Sequence, residues 1–193
     1  MEIKKLNLRF GVIAAIILVA AMSRLLPHLP NFAPVGGMAL FGAAYYSKRR
    51  WAFIVPVAAM WISDIILNNI VYSQYFDGFV WFYGGSIFTY GAFALITLLG
   101  IFVLKKISIF NLTCSVLAAS VIFFLISNFG AWLSMADTYP RTFSGLQACY
   151  FAGIPFFRNT LLGDIFYTSV LFGTFEILQY RFPILRLQEN ISE

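Results

Sequence analysis

The chain has 193 residues, of which 61% are hydrophobic and 11% are charged, and its formal net charge is +5. Soluble globular proteins are about 45–50% apolar and about 25% charged, so this composition excludes a soluble enzyme, a disordered tail and a coiled coil. It is typical of an integral membrane protein with a single domain, residues 1–193.

Long apolar segments follow one another along the chain, and a helix needs roughly 20 such residues to cross a bilayer. We predict six membrane segments, at residues 10–26, 35–46, 52–70, 83–104, 109–133 and 160–180. The second would be about 18 Å long as a helix, too short to cross alone. A further apolar stretch, 143–157, contains Gly153 and Pro155, and we expect it to form an interfacial or re-entrant piece. The predicted fold is an all-α polytopic bundle.

The positions of Lys and Arg set the expected orientation. With the N-terminus inside, the inner connections hold most of the 13 basic residues: Lys4, Lys5, Arg9, Lys48, Arg49, Arg50, Lys105, Lys106, Arg181 and Arg186. We therefore predict a multi-pass protein of the bacterial inner membrane with both termini in the cytoplasm, and no nucleic-acid partner. The start of the chain is also similar to a secretory signal, whose removal would reverse the remaining segments.

The connection between the first two segments is rich in proline and yet largely apolar. It contains Pro27, His28, Pro30, Asn31 and Pro34, and prolines prevent a continuous helix. Irregular backbone at membrane depth requires shielding by protein or by a water-filled cavity. We predict that this connection lines a pocket with His28 and Asn31, the alternative being an ordinary surface turn. His28 could equally be an aromatic residue packed at the membrane interface.

Polar side chains recur near the outer ends of four segments. Counted from the predicted segment ends, Arg24, Asp64, Asn128 and Asp164 all lie roughly 5–9 Å below the outer surface. Charged groups in a membrane are costly and indicate function by default. One interpretation is structural, with Arg24 paired to Asp64 or Asp164. The other is the floor of a binding pocket, to which the outer residues Trp132, Arg158 and Tyr167 would also contribute.

Two small residues in the first segment, Gly11 and Ala15, are spaced so that another helix can approach closely. They indicate either packing within the bundle or a surface that docks a partner membrane protein. No cysteine or histidine spacing typical of a metal site is present, and we expect no metal or cofactor.

Two longer stretches carry a resemblance to a known family. They are residues 24–46, with Arg-Leu-Leu-Pro-His-Leu-Pro-Asn-Phe, and residues 127–132 with 139–168, which include Phe-Phe-Arg-Asn-Thr-Leu-Leu-Gly-Asp. They resemble an uncharacterised bacterial family of six-helix membrane proteins, known only as a domain of unknown function.

More loosely, the architecture resembles the S components of energy-coupling-factor vitamin transporters. That resemblance implies outer loops that close over a vitamin, and a face on the first helix that docks a transmembrane coupling subunit with its ATPases. Gly11 and Ala15 would match that face approximately. Within this class the solitary cobalamin carriers are the nearest in appearance. They use a cysteine as cobalt ligand, and only Cys149 or His28 could serve on the outer side here.

We therefore expect a membrane protein that binds a small, vitamin-like micronutrient and helps to take it up, and not an enzyme. The predicted substrate-binding residues are His28, Asn31, Asp64, Asn128, Trp132, Arg158, Asp164 and Tyr167. Two alternatives stay open. An intramembrane enzyme would need a nucleophile or a metal in the polar layer, and an assembly factor would bind another membrane protein without catalysis.

Overall fold

The structure, a computed structural model, describes residues 2–186 and the side chains of residues 6–186. It contains six α-helices: α1 Glu2–Met22, α2 Val35–Tyr45, α3 Arg49–Ile66, α4 Ser86–Val103, α5 Ile109–Ser134 and α6 Phe143–Arg181. Short 3-10 turns cover Ser23–Leu25, Ser73–Tyr75 and Pro183–Leu185, and a π-helical turn, Leu67–Val71, continues α3. No strand occurs within residues 2–186.

Five of these helices are long and apolar enough to cross a membrane, and α2 is the short exception. The prediction of an all-α multi-pass bundle with a short second segment is therefore confirmed. The helix ends differ in places from the apolar runs. The first helix begins at Glu2, because the polar residues before the apolar run are also helical. Helix α4 begins only after Gly85, whose φ of 82° is left-handed and does not fit an α-helix.

The short helix α2 lies at the centre of the bundle and contacts each of the other five helices. Its eleven residues span about 16 Å, and nine of them are buried. Close approach depends on small residues. A Cβ added to Gly42 would lie 2.7 Å from the ring of Pro56 on α3, and one on Gly100 of α4 would lie 2.7 Å from Ala43. Helix α2 is thus a core element that the longer helices enclose.

The last helix, α6, is continuous over 39 residues, or about 58 Å, nearly twice the thickness of the hydrocarbon core. The prediction of a separate interfacial or re-entrant piece at 143–157 is therefore wrong, because these residues are the first part of α6. Pro155 is exposed inside the helix and removes one amide donor without breaking it. Two neighbours support the helix here: Thr142 caps its start by accepting from the Gly145 amide at 3.1 Å, and Asn128 of α5 packs against Gly153.

Arg9 ties both ends of the chain together at one end of the bundle. Its guanidinium donates to the carbonyl oxygens of Tyr45, at 3.2 Å, and Leu185, and to the side chain of Gln179, at 3.1 Å. It also lies 5.2 Å from the centre of the Phe175 ring. We call this end of the bundle the basic end, because Lys48, Arg49, Arg50, Lys105, Lys106, Arg181 and Arg186 belong to the connections and helix ends on this side.

Candidate functional site

The connection between α1 and α2, residues 26–34, runs along the side of α6. Asn31 adopts a left-handed conformation, with a φ of 63°, which asparagine tolerates better than most residues. The amide of Phe32 donates to the carbonyl of Leu29 at 2.9 Å, and Asn159 of α6 donates to the carbonyl of Pro30 at 2.9 Å. Hydrogen bonds within the turn and to α6 therefore fix this irregular backbone.

Glycines allow the connection and α2 to lie directly against α6. A Cβ on Gly163 of α6 would come within 3.0 Å of the Ala33 amide nitrogen. On α2, a Cβ at Gly36 would overlap the carboxylate of Asp164, and one at Gly37 would lie 3.1 Å from Tyr167. The two stretches that carry the family resemblance are therefore packed against each other.

Asp164 lies at the N-terminus of α2 and is only 1% exposed. One carboxylate oxygen accepts from the Gly36 amide at 3.1 Å, and the other accepts from the Ser120 hydroxyl of α5 at 2.7 Å. Helix α2 begins after Pro34, which offers no side-chain cap, so Asp164 supplies a cap from another helix. The positive end of the helix dipole stabilises the carboxylate. Within the described residues Asp164 makes no salt bridge.

Arg24 pairs with Asp64, which answers the question that the sequence left open. Its guanidinium lies 2.6 Å from the Asp64 carboxylate and donates to the Ser63 hydroxyl at 2.6 Å. The Tyr90 hydroxyl of α4 donates to the other oxygen of Asp64 at 2.7 Å. Asp64 is buried, and the Arg24 side chain is 13% exposed. The pair ties α3 to the end of α1 and, through Tyr90, to α4.

A cavity of about 470 Å³ lies between these groups. Its wall consists of Arg24, His28, Pro30, Asn31, Ala33, Val35, Met60, Leu67, Tyr72, Tyr83, Thr89, Phe123, Ser127, Thr160 and Asp164. The buried members, such as Met60 and Asp164, form its floor, and the exposed members His28, Asn31 and Tyr72 form its mouth. Burial raises the pKa of the Tyr83 phenol, so this side chain stays a neutral hydrogen-bond donor. We call this space the outer cavity, because it lies at the end of the bundle that the positions of Lys and Arg predict to be outside.

The eight predicted substrate-binding residues divide into two sets. His28, Asn31 and Asp164 line the outer cavity. Asp64 does not line it but is paired with Arg24, which is part of the wall. Four others lie outside the wall. Tyr167 accepts from Ser23 at 2.9 Å, Trp132 donates to the Pro140 carbonyl at 3.0 Å, Asn128 donates to the Phe124 carbonyl at 2.8 Å, and Arg158 is exposed.

The prediction that Asn128 lies at the same depth as Asp164 is wrong, whereas Arg24, Asp64 and Asp164 are grouped around one cavity. Asp164 accepts from Ser120, which lies eight residues, or about 12 Å, before Asn128 along α5. Asn128 instead packs against Gly153, eleven residues before Asp164 on α6. The depth count began at residue 160, whereas α6 begins at Phe143. Asp164 and Asn128 therefore lie at different levels.

The sequence did not single out three hydroxyl residues near the outer cavity and the two carboxylates. Ser120, Tyr90 and Thr160 carry isolated hydroxyl groups inside apolar segments. Tyr90 donates a hydrogen bond to Asp64, Ser120 donates one to Asp164, and Thr160 lines the outer cavity. Their signal was a hydroxyl group facing the same core as an aspartate. That signal is weak, because serine and threonine in membrane helices commonly bond to their own backbone, as Thr97 does to Phe93 at 2.9 Å.

Within the described residues, no group of three His, Cys, Asp or Glu side chains is close enough to hold a metal ion. Of the two outer residues considered as a cobalt ligand, His28 lines the cavity, whereas Cys149 is buried between α5 and α6, where its thiol donates to the Asn128 carbonyl at 3.4 Å.

Comparison with known proteins finds one family. A model described as a family of unknown function (DUF6580) matches residues 4–185. No curated protein and no solved structure matches the chain. The matched range contains the whole outer cavity and both stretches of sequence that form it.

Proposed function

The chain belongs to this family of unknown function, and we propose from the geometry of the outer cavity that it is a membrane protein for the binding and uptake of a small, vitamin-like micronutrient. The observation that carries the proposal is a cavity of about 470 Å³ with polar groups in an otherwise apolar bundle. Ligand pockets for small molecules have volumes of about 300–1,000 Å³ and place a few polar groups among apolar ones.

The charges around the cavity favour a neutral or cationic ligand over an anionic one. Two features of the wall attract anions, and each already has a carboxylate as partner. The Arg24 guanidinium is paired with Asp64, and the N-terminus of α2 is capped by Asp164. A ligand that donates a hydrogen bond to Asp164 would use its remaining acceptor capacity, since an ionised carboxylate has about four lone-pair sites.

The aromatic residues of the wall add a preference for a flat ring. Tyr72, Tyr83 and Phe123 face the same space as the hydroxyls of Thr89, Ser127 and Thr160. Aromatic faces stack on planar rings, and hydroxyls bond to polar substituents on the ring edge. The proposed substrate class is therefore a planar ring with polar substituents, as in many vitamins and their precursors. Cobalamin-related compounds are the specific candidates that the resemblance suggests.

A thermal-shift screen of the purified protein in detergent tests this proposal. The panel contains vitamins and their precursors, including cobalamin and cobinamide. A ligand at 100 times its Kd stabilises the folded state by about 2.7 kcal/mol. We expect Asp164→Asn to abolish the shift produced by the hit, and the matched variant Asp137→Asn, in the exposed connection before α6, to keep it.

Other results would favour the alternatives. A flat panel with folded protein would contradict the uptake proposal. Ligand binding that survives Asp164→Asn, with loss of a turnover product, would favour an intramembrane enzyme. A stoichiometric membrane partner whose binding ignores changes in the outer cavity would favour an assembly factor.

We also propose that α1 docks a transmembrane coupling subunit with ATPases, with the basic end of the bundle in the cytoplasm. Support comes from Gly11 and Ala15, which are both exposed, and a Cβ added to Gly11 would meet nothing within 4 Å. Gly11→Leu should abolish uptake and leave ligand binding unchanged. Its control is Gly91→Leu, at an equally open site on α4. Uptake in cells without any coupling subunit would instead show a solitary mechanism.

A further inference from the structure

A second cavity, of about 450 Å³, lies at the basic end of the bundle and is separate from the outer cavity. It is enclosed by α1, by the connection between α2 and α3, and by the start of α3. We call it the basic cavity. Leu6, Asn7 and Lys48 on its wall are exposed, so the cavity opens to the surroundings.

Two basic side chains line the basic cavity, and a carboxylate near Arg9, that of Glu176, lies outside its wall and is bonded to Tyr45 and Gln179. Arg9 and Lys48 line it, and none of the described residues along its wall is acidic. Arg9 is only 6% exposed, and within the described residues it makes no salt bridge, since its partners are two carbonyls and the Gln179 amide. The nearby Glu176 accepts from the Tyr45 hydroxyl at 2.5 Å and is not part of the wall.

The other side of the cavity is aromatic and apolar. The ring of Phe10 lies 5.2 Å from the rings of both Tyr46 and Trp51. Leu6 and Ile13 of α1 extend the apolar wall on either side of Phe10 along the helix. A ligand that suits this cavity has an anionic group near Arg9 and Lys48 and an apolar part along Phe10 and Trp51.

The position along the helix adds a reason for lipid. Arg9 directly precedes the apolar run that begins at Phe10, so it lies near the expected membrane boundary. Lipid headgroups lie at this level, and basic pockets between membrane helices bind anionic headgroups. Aromatic side chains gather at the same level. The adjacent Arg49 and Arg50 raise the positive potential around the opening.

From this geometry we infer that the basic cavity binds the phosphate headgroup of an anionic phospholipid, with Arg9 and Lys48 facing the phosphate and the Phe10–Trp51 wall facing the start of an acyl chain. The inference concerns a site at the opposite end of α2 from Asp164 and does not depend on the uptake proposal.

Native mass spectrometry of the detergent-purified protein with defined lipids tests the inference. We expect single phosphatidylglycerol adducts with a Kd at least tenfold lower than that of phosphatidylcholine. Lys48→Gln should weaken phosphatidylglycerol binding about fivefold, because one basic residue near a lipid surface contributes about 1 kcal/mol. The control Lys105→Gln, an exposed lysine in the connection between α4 and α5, should leave this Kd unchanged.

Arg9→Gln should weaken binding further, but it also removes the bonds to Tyr45 and Leu185, so Lys48→Gln decides the test if that variant does not fold. Equal effects of Lys48→Gln and Lys105→Gln would mean general surface attraction and would overturn the inference. Glycerol 3-phosphate that binds as tightly as phosphatidylglycerol would overturn the assignment to lipid, because the apolar wall would then contribute nothing.

Discussion

Asp64 and Asp164 are two buried carboxylates of one bundle, and each is stabilised in a different way. Asp64 has the guanidinium of Arg24 at 2.6 Å and the hydroxyl of Tyr90 at 2.7 Å. Asp164 has a backbone amide at a helix N-terminus and the hydroxyl of Ser120. Both oxygens of Asp64 therefore have partners within the protein. The second carboxylate lines the outer cavity with acceptor capacity to spare, which makes Asp164 the better candidate for ligand contact.

The Arg24–Asp64 pair gives a prediction about stability. Arg24→Gln or Asp64→Asn alone leaves a buried charge without its partner, which costs about 3–5 kcal/mol of unfolding free energy. The double variant should lose clearly less than the sum, because no unpaired charge remains. Chemical denaturation in detergent of all four proteins measures this coupling. Strictly additive losses would contradict it, and the exposed Asp77→Asn should change the free energy by less than about 0.5 kcal/mol.

At this scale the sequence identified the charged residues but not their partners. Depth counted from the segment ends gives Asp64 and Asp164 the same level, so the sequence leaves both as possible partners of Arg24. The packed bundle decides between them, because Asp164 is bonded to Gly36 and Ser120 while Asp64 faces Arg24. Ser120 and Tyr90 could not be chosen in advance, since rotation of a helix about its axis decides which hydroxyl faces a carboxylate.

At the scale of the elements, the contact between α2 and α6 depends on glycine. Gly36→Ala would force a methyl group into the carboxylate of Asp164, and overpacking of this kind costs about 1–3 kcal/mol. Gly91→Ala on α4 adds the same methyl group where nothing lies within 4 Å, and should instead stabilise the helix by about 0.5–1 kcal/mol. Melting temperatures of the two variants in detergent should therefore move in opposite directions. A Gly36→Ala protein as stable as the original would show that α2 is not fixed against α6.

Helix number and type could be predicted from apolar run length, including the unusual shortness of α2. The continuity of α6 could not be predicted, because on sequence alone a proline and a glycine inside an apolar run indicate a break in the helix. Whether a break occurs depends on neighbours, and here Asn128 of α5 packs on Gly153 and the Thr142 cap fixes the start. The small pair in α1 was likewise ambiguous, and only the packed bundle shows that Gly11 and Ala15 face outward.

At the scale of the whole molecule, charge predicts the direction of insertion. We expect the connection at residues 46–48 in the cytoplasm and the one at residues 72–85 outside, because the first is part of the basic end. With Cys114 and Cys149 replaced by serine, a maleimide that cannot cross membranes should label Ser73→Cys in intact cells and not Ser47→Cys. The reverse pattern would contradict the orientation and, with it, the side from which the outer cavity is reached.

The enclosure of α2 has a consequence for biogenesis. Eleven apolar residues are too few to hold a helix across a bilayer, so α2 gains little from lipid by itself. Its insertion must therefore be coupled to that of α1 and α3, which flank it in the chain. The N-terminus of α2 is completed only when Asp164 arrives from α6, after most of the chain has been synthesised. Closure of the bundle around α2 is accordingly a late event that joins the two ends of the polypeptide.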